Sequence, residues 1–222
     1  MLSTPVTYLI IGLTVLVTYQ AFNNSALKSK FLMNPWMVAH EKDYKRIFTH
    51  GLIHSGWMHL GFNMFVLYMF GTAVEAHFVG AEEIGAGEYG TPRYRFGHVL
   101  FATLYIGGIV AGSLPSLIKH KDNPHYNSLG ASGAVYAVLL AYVILYPTRK
   151  LGLIFLPGIA IWGVVMAIII FVFEHYMQKR GGTGIAHDAH IWGAGYGAVF
   201  VCLIDLDNFP NFIRQIMDGL PF

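Results

Sequence analysis

Ser132 sits in the run Gly130-Ala131-Ser132-Gly133-Ala134, and His190 is followed by Gly193 and Gly197. His59 and Asn63 are four residues apart, so on a helix they share one face, one turn from each other. These are the parts of an acyl-transfer centre. A serine hydroxyl becomes a nucleophile when a base takes its proton, and imidazole is the side chain best tuned to do so. The tetrahedral oxyanion that follows needs fixed donors. A serine at a helix start offers its own backbone N–H, which has no partner inside the helix, and the side chains of His59 and Asn63 can add more. Tyr136 lies one turn after Ser132, where its ring can stack on the base. The arrangement is not the soluble-hydrolase elbow Gly-x-Ser-x-Gly, because Ala134 holds the fifth place.

Each part has a plainer reading. A single histidine in a membrane helix can simply bond a neighbouring helix, and Gly and Ser at helix interfaces are usually packing residues. Gly193 and Gly197 form a small-xxx-small pair, which by itself means close helix approach. The conjunction of the three clusters is what points to chemistry.

The elements that must carry them follow from composition. Charged residues make up 12% of the 222, against about 25% in soluble proteins, while apolar residues reach 55%. Mean hydropathy is +0.52. So few charges exclude a soluble fold and a disordered chain. A net charge of +2 implies no nucleic-acid partner, and a single cysteine, Cys202, excludes a disulfide scaffold. A membrane-crossing helix needs about 20 mostly apolar residues. Six stretches qualify: 5–22, 55–74, 96–118, 127–146, 151–173 and 187–204. The expectation is an all-α polytopic membrane protein, one six-helix domain over residues 1–222, with the lipid bilayer as its surroundings. The sequence does not specify an oligomeric state.

The first span has no basic segment before it and no cleavage site after it, so it reads as a retained helix. No mitochondrial-type presequence precedes it, which favours a bacterial plasma membrane. Loops one, three and five hold most of the Lys and Arg, which by the positive-inside rule puts the first loop in the cytoplasm.

The pattern resembles the rhomboid intramembrane serine proteases. The residues that carry the resemblance are His50, His54, His59 and Asn63, then Gly130-Ala131-Ser132-Gly133 with Tyr136, and Ala189-His190 with Gly193 and Gly197. Gly71 to Glu75 resembles the family's Gly-x-x-x-Glu. The resemblance covers residues 46–204. It implies a six-helix rhomboid-like bundle with Ser132 as nucleophile and His190 as general base, a dyad with no aspartate. It further implies an oxyanion site from His59, Asn63 and the Ser132 N–H, with His54 and His50 in supporting roles. The substrates it implies are transmembrane segments of other membrane proteins. The fifth helix and the loop 176–186 would gate access, and no cofactor is required. Where the family has Trp-Arg in the first loop, this chain has Lys45-Arg46. Family topology, with the N-terminus in the cytoplasm, opposes the charge count and takes precedence, since that loop packs into the membrane surface.

His187 competes with His190 as the base; the spacing of His190 to Gly193 and Gly197 favours His190, with His187 at the watery mouth. Two other readings stand beside the protease. One is a catalytically inactive relative that binds membrane helices. The other is a metal site, with His50 and His54 at i,i+4 joined by His187 or Asp188, although Gly51 stands where the Glu of His-Glu-x-x-His would be.

Overall fold

The computed structural model describes residues 3–80, 83–84, 88–89, 94, 96–153, 156–181 and 186–219. Helix α1 (Pro5–Phe22) begins on a proline, whose fixed φ suits a first turn and whose missing N–H costs nothing there. Its buried side chains are Thr7, Thr14, Thr18 and Ala21, while Leu9, Leu13 and Leu16 face outward. Polar residues inside and leucines outside reverse the soluble pattern and suit a helix surrounded by lipid. Thr4 does not cap this helix with its side chain. Instead the fully buried Glu75, from another helix, accepts from Val6 N at 3.0 Å and from Thr7 N at 2.8 Å.

The first loop folds into α2 (Ser25–Phe31), α3 (Pro35–His40), α4 (Arg46–Thr49) and a 3₁₀ turn over His50–Leu52. Asn24 and Asn34 cap α2 and α3 through Leu27 N and Met37 N, both at 2.9 Å. Arg46 is buried and donates Nη1 to the carbonyls of Ser29 and Leu32, and Nε to Asp43, all at 2.8 Å. The arginine therefore anchors this loop without the family's tryptophan.

Next come α5 (Trp57–Val66), a π-helical turn at Leu67–Gly71 and α6 (Thr72–Val79), ending on Gly80 in the left-handed region. The two-residue strands β1 (Glu83–Ile84) and β2 (Glu88–Tyr89) pair before α7 (Gly97–His120). Helix α8 (Ser132–Leu145) is followed by an antiparallel hairpin of β3 (Lys150–Leu153) and β4 (Leu156–Trp162). Helices α9 (Gly163–Arg180) and α10 (His187–Ile204) follow, and α11 (Asn208–Gly219) turns away from α10 by 105°. Helix α8 is central: Ala134, Ala137, Val138 and Ala141 are buried against α7, α10 and the π turn.

The fold is a predominantly helical membrane bundle, as expected. Among the described residues, α1, the continuous Trp57–Val79 run and Gly97–His120 are long and apolar enough to cross a bilayer, and α10 with α11 makes a fourth if the bent pair is one span. Helix α8, with 14 residues, is shorter. One expected span is corrected: residues 151–173 are not one helix. Lys150 pairs with Trp162 and Leu151 with Ile161, and helix begins only at Gly163. Pro157 cannot continue a helix and Gly158 takes φ +90, so an apolar run that hydropathy alone assigns to a helix folds back as a hairpin.

Candidate active site

Ser132 is the first residue of α8, so its N–H points out of the helix end. The turn before it is shaped by Gly130, whose φ of +117 disfavours a side chain. A Cβ there would stand 2.7 Å from Cε1 of His59 and 3.0 Å from its Nε2. The His59 ring thus covers the turn that presents the serine. Ser55 N–H and Oγ both reach His59 Nδ1, at 3.5 and 3.0 Å. With Nδ1 accepting from Ser55, the proton sits on Nε2, facing that turn. Asn63 is buried one turn on and donates to the His59 carbonyl at 2.8 Å.

His50 and His54 hold the same turn from the loop side. Gly130 N donates to the His50 carbonyl at 3.0 Å. His54 Nδ1 lies 3.1 Å from Thr18 Oγ1, and its Nε2 lies 3.5 Å from Ala131 N. Burial pushes the His50 imidazole down to about 4, against its backbone hydrogen bonds. Burial, and secondly the neighbouring His59, push His54 down to about 3. Both are therefore neutral rings that bond and pack.

His190 Nε2 lies 2.8 Å from Ser132 Oγ, and the Tyr136 ring stacks on the imidazole with centroids 4.3 Å apart and planes at 7°. Glycines make this meeting possible. A Cβ at Gly193 would stand 2.0 Å from the Gly133 carbonyl oxygen, and one at Gly197 would stand 2.0 Å from that of Ala137. Gly133 faces Gly112 of α7 in turn, with a built Cβ 3.1 Å from its Cα. Three helices are in backbone contact around the serine.

A carboxylate completes the cluster. Glu174 of α9 is buried; its Oε1 accepts from the Tyr136 hydroxyl and its Oε2 contacts His187 Nδ1, each at 2.5 Å. His190 Nδ1 lies 3.0 Å from the same Oε2. His187 is buried, not at a watery mouth as its position in the sequence implies. Asp188 points elsewhere, to Lys119 at 2.7 Å.

Glu174, His187 and His190 are also the described residues whose ligand atoms gather closely enough for a metal ion. Two ligands of one tetrahedral ion, each about 2.0–2.2 Å from it, stand more than about 3 Å apart. The 2.5 Å between His187 and Glu174 is a hydrogen-bond distance instead. Among the described residues, His50 and His54 do not join such a group.

A cavity of about 30 Å³, room for one water molecule, opens beside Ser132 between His50, Ser113, Ser116 and Ala189. Among the described residues no partner reaches His50 Nε2, a buried polar atom on this wall.

The residues expected from sequence at 54, 59, 63, 130, 132, 133, 136, 190, 193 and 197 all line or support this one region. Glu174 was not among them. A span ending at Phe173 leaves the next residue in a loop, whereas a helix running to Arg180 puts it well inside the bundle. The signal available was a carboxylate one residue beyond an apolar run. Of the expected gating loop, residues 182–185 lie outside the described residues.

The class defined by this geometry is a polytopic helical membrane protein with a partly buried, hydrogen-bonded Ser–His pair. The Rhomboid domain profile matches residues 41–205, and the chain belongs to the rhomboid family. It is 27% identical over 205 residues to RHOMBOID-like protein 12, mitochondrial, of Arabidopsis thaliana, covering 83% of this chain and 53% of that protein. It is 33% identical over 172 residues to Rhomboid protein 1, mitochondrial, of Saccharomyces cerevisiae, covering 72% and 43%. To the Rhomboid protease GluP of Bacillus subtilis it is 28% identical over 180 residues, covering 80% and 29%. The chain thus spans about half the length, or less, of these relatives.

The mitochondrial relatives overturn the expectation of a bacterial plasma membrane. That expectation leaned on what precedes the first span, and a chain covering half of its relatives carries no such information at its start.

Proposed function

We propose that this chain is an intramembrane serine endopeptidase that cuts transmembrane segments of other membrane proteins in a mitochondrial membrane. The observation that carries the reading is the 2.8 Å contact between Ser132 Oγ and His190 Nε2 on neighbouring helices. His190 Nε2 takes the hydroxyl proton as Oγ forms its bond to the scissile carbonyl carbon. The oxyanion accepts from the Ser132 N–H and from the side chains of His59 and Asn63, donors fixed before the reaction begins. His190 then gives the proton to the departing amine nitrogen as the C–N bond breaks. A water molecule, for which the small cavity beside Ser132 has room, gives a proton to His190 as its oxygen bonds to the acyl carbon. His190 returns that proton to Ser132 Oγ as the ester C–O bond breaks, which releases the new carboxyl terminus and restores the serine.

Residues 1–222 act as one membrane domain in this reading, with α8, α9 and α10 crossing the bilayer beside the three long apolar helices. Its access route is flanked by α9, which packs on α8, α10 and the β3–β4 hairpin and whose Val172, Phe173 and Tyr176 are exposed. The mitochondrial setting rests on the names of the plant and yeast relatives, and the protease class on the name of the Bacillus relative.

The test is labelling of the detergent-purified protein by a fluorescent fluorophosphonate, which reports an activated serine. The wild type labels, and Ser132→Ala and His190→Ala do not. A folded wild type that stays unlabelled leaves a non-catalytic binder of membrane helices as the better assignment.

A further inference from the structure

We propose that Glu174 is a positioning residue for the His190 general base, a third member that this chain adds to the Ser132–His190 pair. The proposal rests on the serine-protease reading above and deepens it. Three observations carry it. First, Glu174 is 5% exposed on a helix of a membrane bundle, where a carboxylate is costly and marks function by default. Second, its oxygens are occupied by groups belonging to the same site: Tyr136 on Oε1, His187 and His190 on Oε2. Third, the three side chains stand in line. Ser132 Oγ meets one ring nitrogen of His190 at 2.8 Å, and Glu174 Oε2 meets the other at 3.0 Å.

The consequence is a fixed tautomer. A carboxylate beside Nδ1 keeps a proton there, leaving Nε2 with the lone pair that must accept from Ser132. When His190 takes the serine proton, the imidazolium forms 3.0 Å from a fixed negative charge in a water-poor interior. The proton stays on His190 until the amine leaves; none passes to Glu174. The same carboxylate holds the hydroxyl of Tyr136, whose ring stacks on His190. One side chain thereby restrains the imidazole at its edge and, through the tyrosine, at its face. Glu174 does not touch substrate and acts only through these two rings.

Its hold on His190 is shared. His187 Nδ1 takes Oε2 at the shorter distance of 2.5 Å, and the His190 contact at 3.0 Å is close without the alignment of a full hydrogen bond. The groups facing His190 are thus Ser132 and Tyr136 from α8, Glu174 from α9, His187 on its own helix, and His59 of α5 through its field.

The experiment follows the rate of fluorophosphonate labelling over roughly pH 5 to 9 for wild type, Glu174→Gln and Glu174→Asp. Glu174→Gln is expected to label about 10- to 100-fold more slowly at neutral pH, with its acidic limb moved to lower pH, and Glu174→Asp to recover part of the rate. A purely structural glutamate would change the folded fraction and leave the limb where it is. Glu174→Gln that is folded and labels at the wild-type rate with an unmoved limb overturns the proposal. A second measurement needs no variant at 174: ¹⁵N NMR of His190 in Ser132→Ala protein at neutral pH. A proton on Nδ1 supports the proposal, and a proton on Nε2 alone overturns it. A wild type that does not label sinks the protease reading itself, a result separate from a labelling wild type that is indifferent to Glu174.

Discussion

Gly193 lies so close to Gly133 that a Cβ built at position 193 would stand 2.0 Å from the Gly133 carbonyl oxygen. That contact sets the distance between the helix that starts with Ser132 and the helix that carries His190. Gly193→Ala must therefore push α10 away from α8, costing about 1–3 kcal/mol of stability by overpacking and lengthening the Ser132–His190 contact. Thermal unfolding and fluorophosphonate labelling should both fall. Gly195→Ala is the internal control: a Cβ built there meets nothing within 4 Å beyond its own helix backbone, and alanine gains up to about 1 kcal/mol in helix propensity. Equal losses in the two variants would show that the interface is not as tight as the carbonyl contact implies.

A second expectation concerns Glu75, which does for α1 what Thr4 does not. It is fully buried and accepts from Val6 N, Thr7 N and Thr7 Oγ1 at 2.7–3.0 Å, with His98 Nδ1 2.7 Å from Oε1. Glu75→Ala strands two backbone donors, that of Thr7 buried and that of Val6 partly so, and the expected loss is about 2 kcal/mol. His98 is 46% exposed, so His98→Ala should cost far less. Thermal melts of the two variants decide it, and equal shifts would deny Glu75 its capping role.

How much of this was legible in the sequence differs by residue for physical reasons. Ser132, His190 and the His59/Asn63 pair could be read because polar side chains in apolar runs are rare and their helical spacing is fixed. Gly193 and Gly197 could be read as close-approach residues, but their partners, the carbonyls of Gly133 and Ala137, could not, since helix pairing is not written in periodicity. The fifth span failed at one point. Hydropathy does not separate a strand from a helix, and the hairpin at 150–162 displaced the helix enough to bring Glu174 inside. His187 was misread for a related reason: a histidine near a helix start reads as solvent-facing unless its buried partner is known, and here that partner is Glu174.

His50 and His54 make stability depend on pH in a stated direction. Folded, they are held down to about 4 and about 3; unfolded, each titrates near 6.5. Between these values the unfolded chain binds more protons than the folded one, so acid favours unfolding. Their contribution is complete above about pH 6.5 and is lost as the pH falls toward 4 and 3. The melting temperature in detergent should therefore decline on acidification through that window. His54→Asn should show a shallower decline, because one of the two proton acceptors is gone. A wild-type melting temperature that is flat across the window would mean that these rings are protonated in the fold.

The last expectation separates the two histidines of α10. His190 touches Ser132 through Nε2, whereas His187 spends Nδ1 on Glu174 and its ring centroid lies 5.9 Å from that of His190. If His190 is the base, His187→Gln should keep fluorophosphonate labelling within about tenfold of wild type. Removing the imidazole relieves the competition for Glu174 Oε2, which leaves that oxygen to His190 Nδ1. Under that arrangement the loss of a packing partner and the gain of a better-aligned carboxylate act in opposite directions on the rate. His190→Ala has no such compensation, since Ser132 then lacks any acceptor for its proton, and labelling should disappear. The reverse pattern, labelling lost in His187→Gln and kept in His190→Ala, would transfer the role of base to His187 and leave the 2.8 Å contact with Ser132 as packing alone.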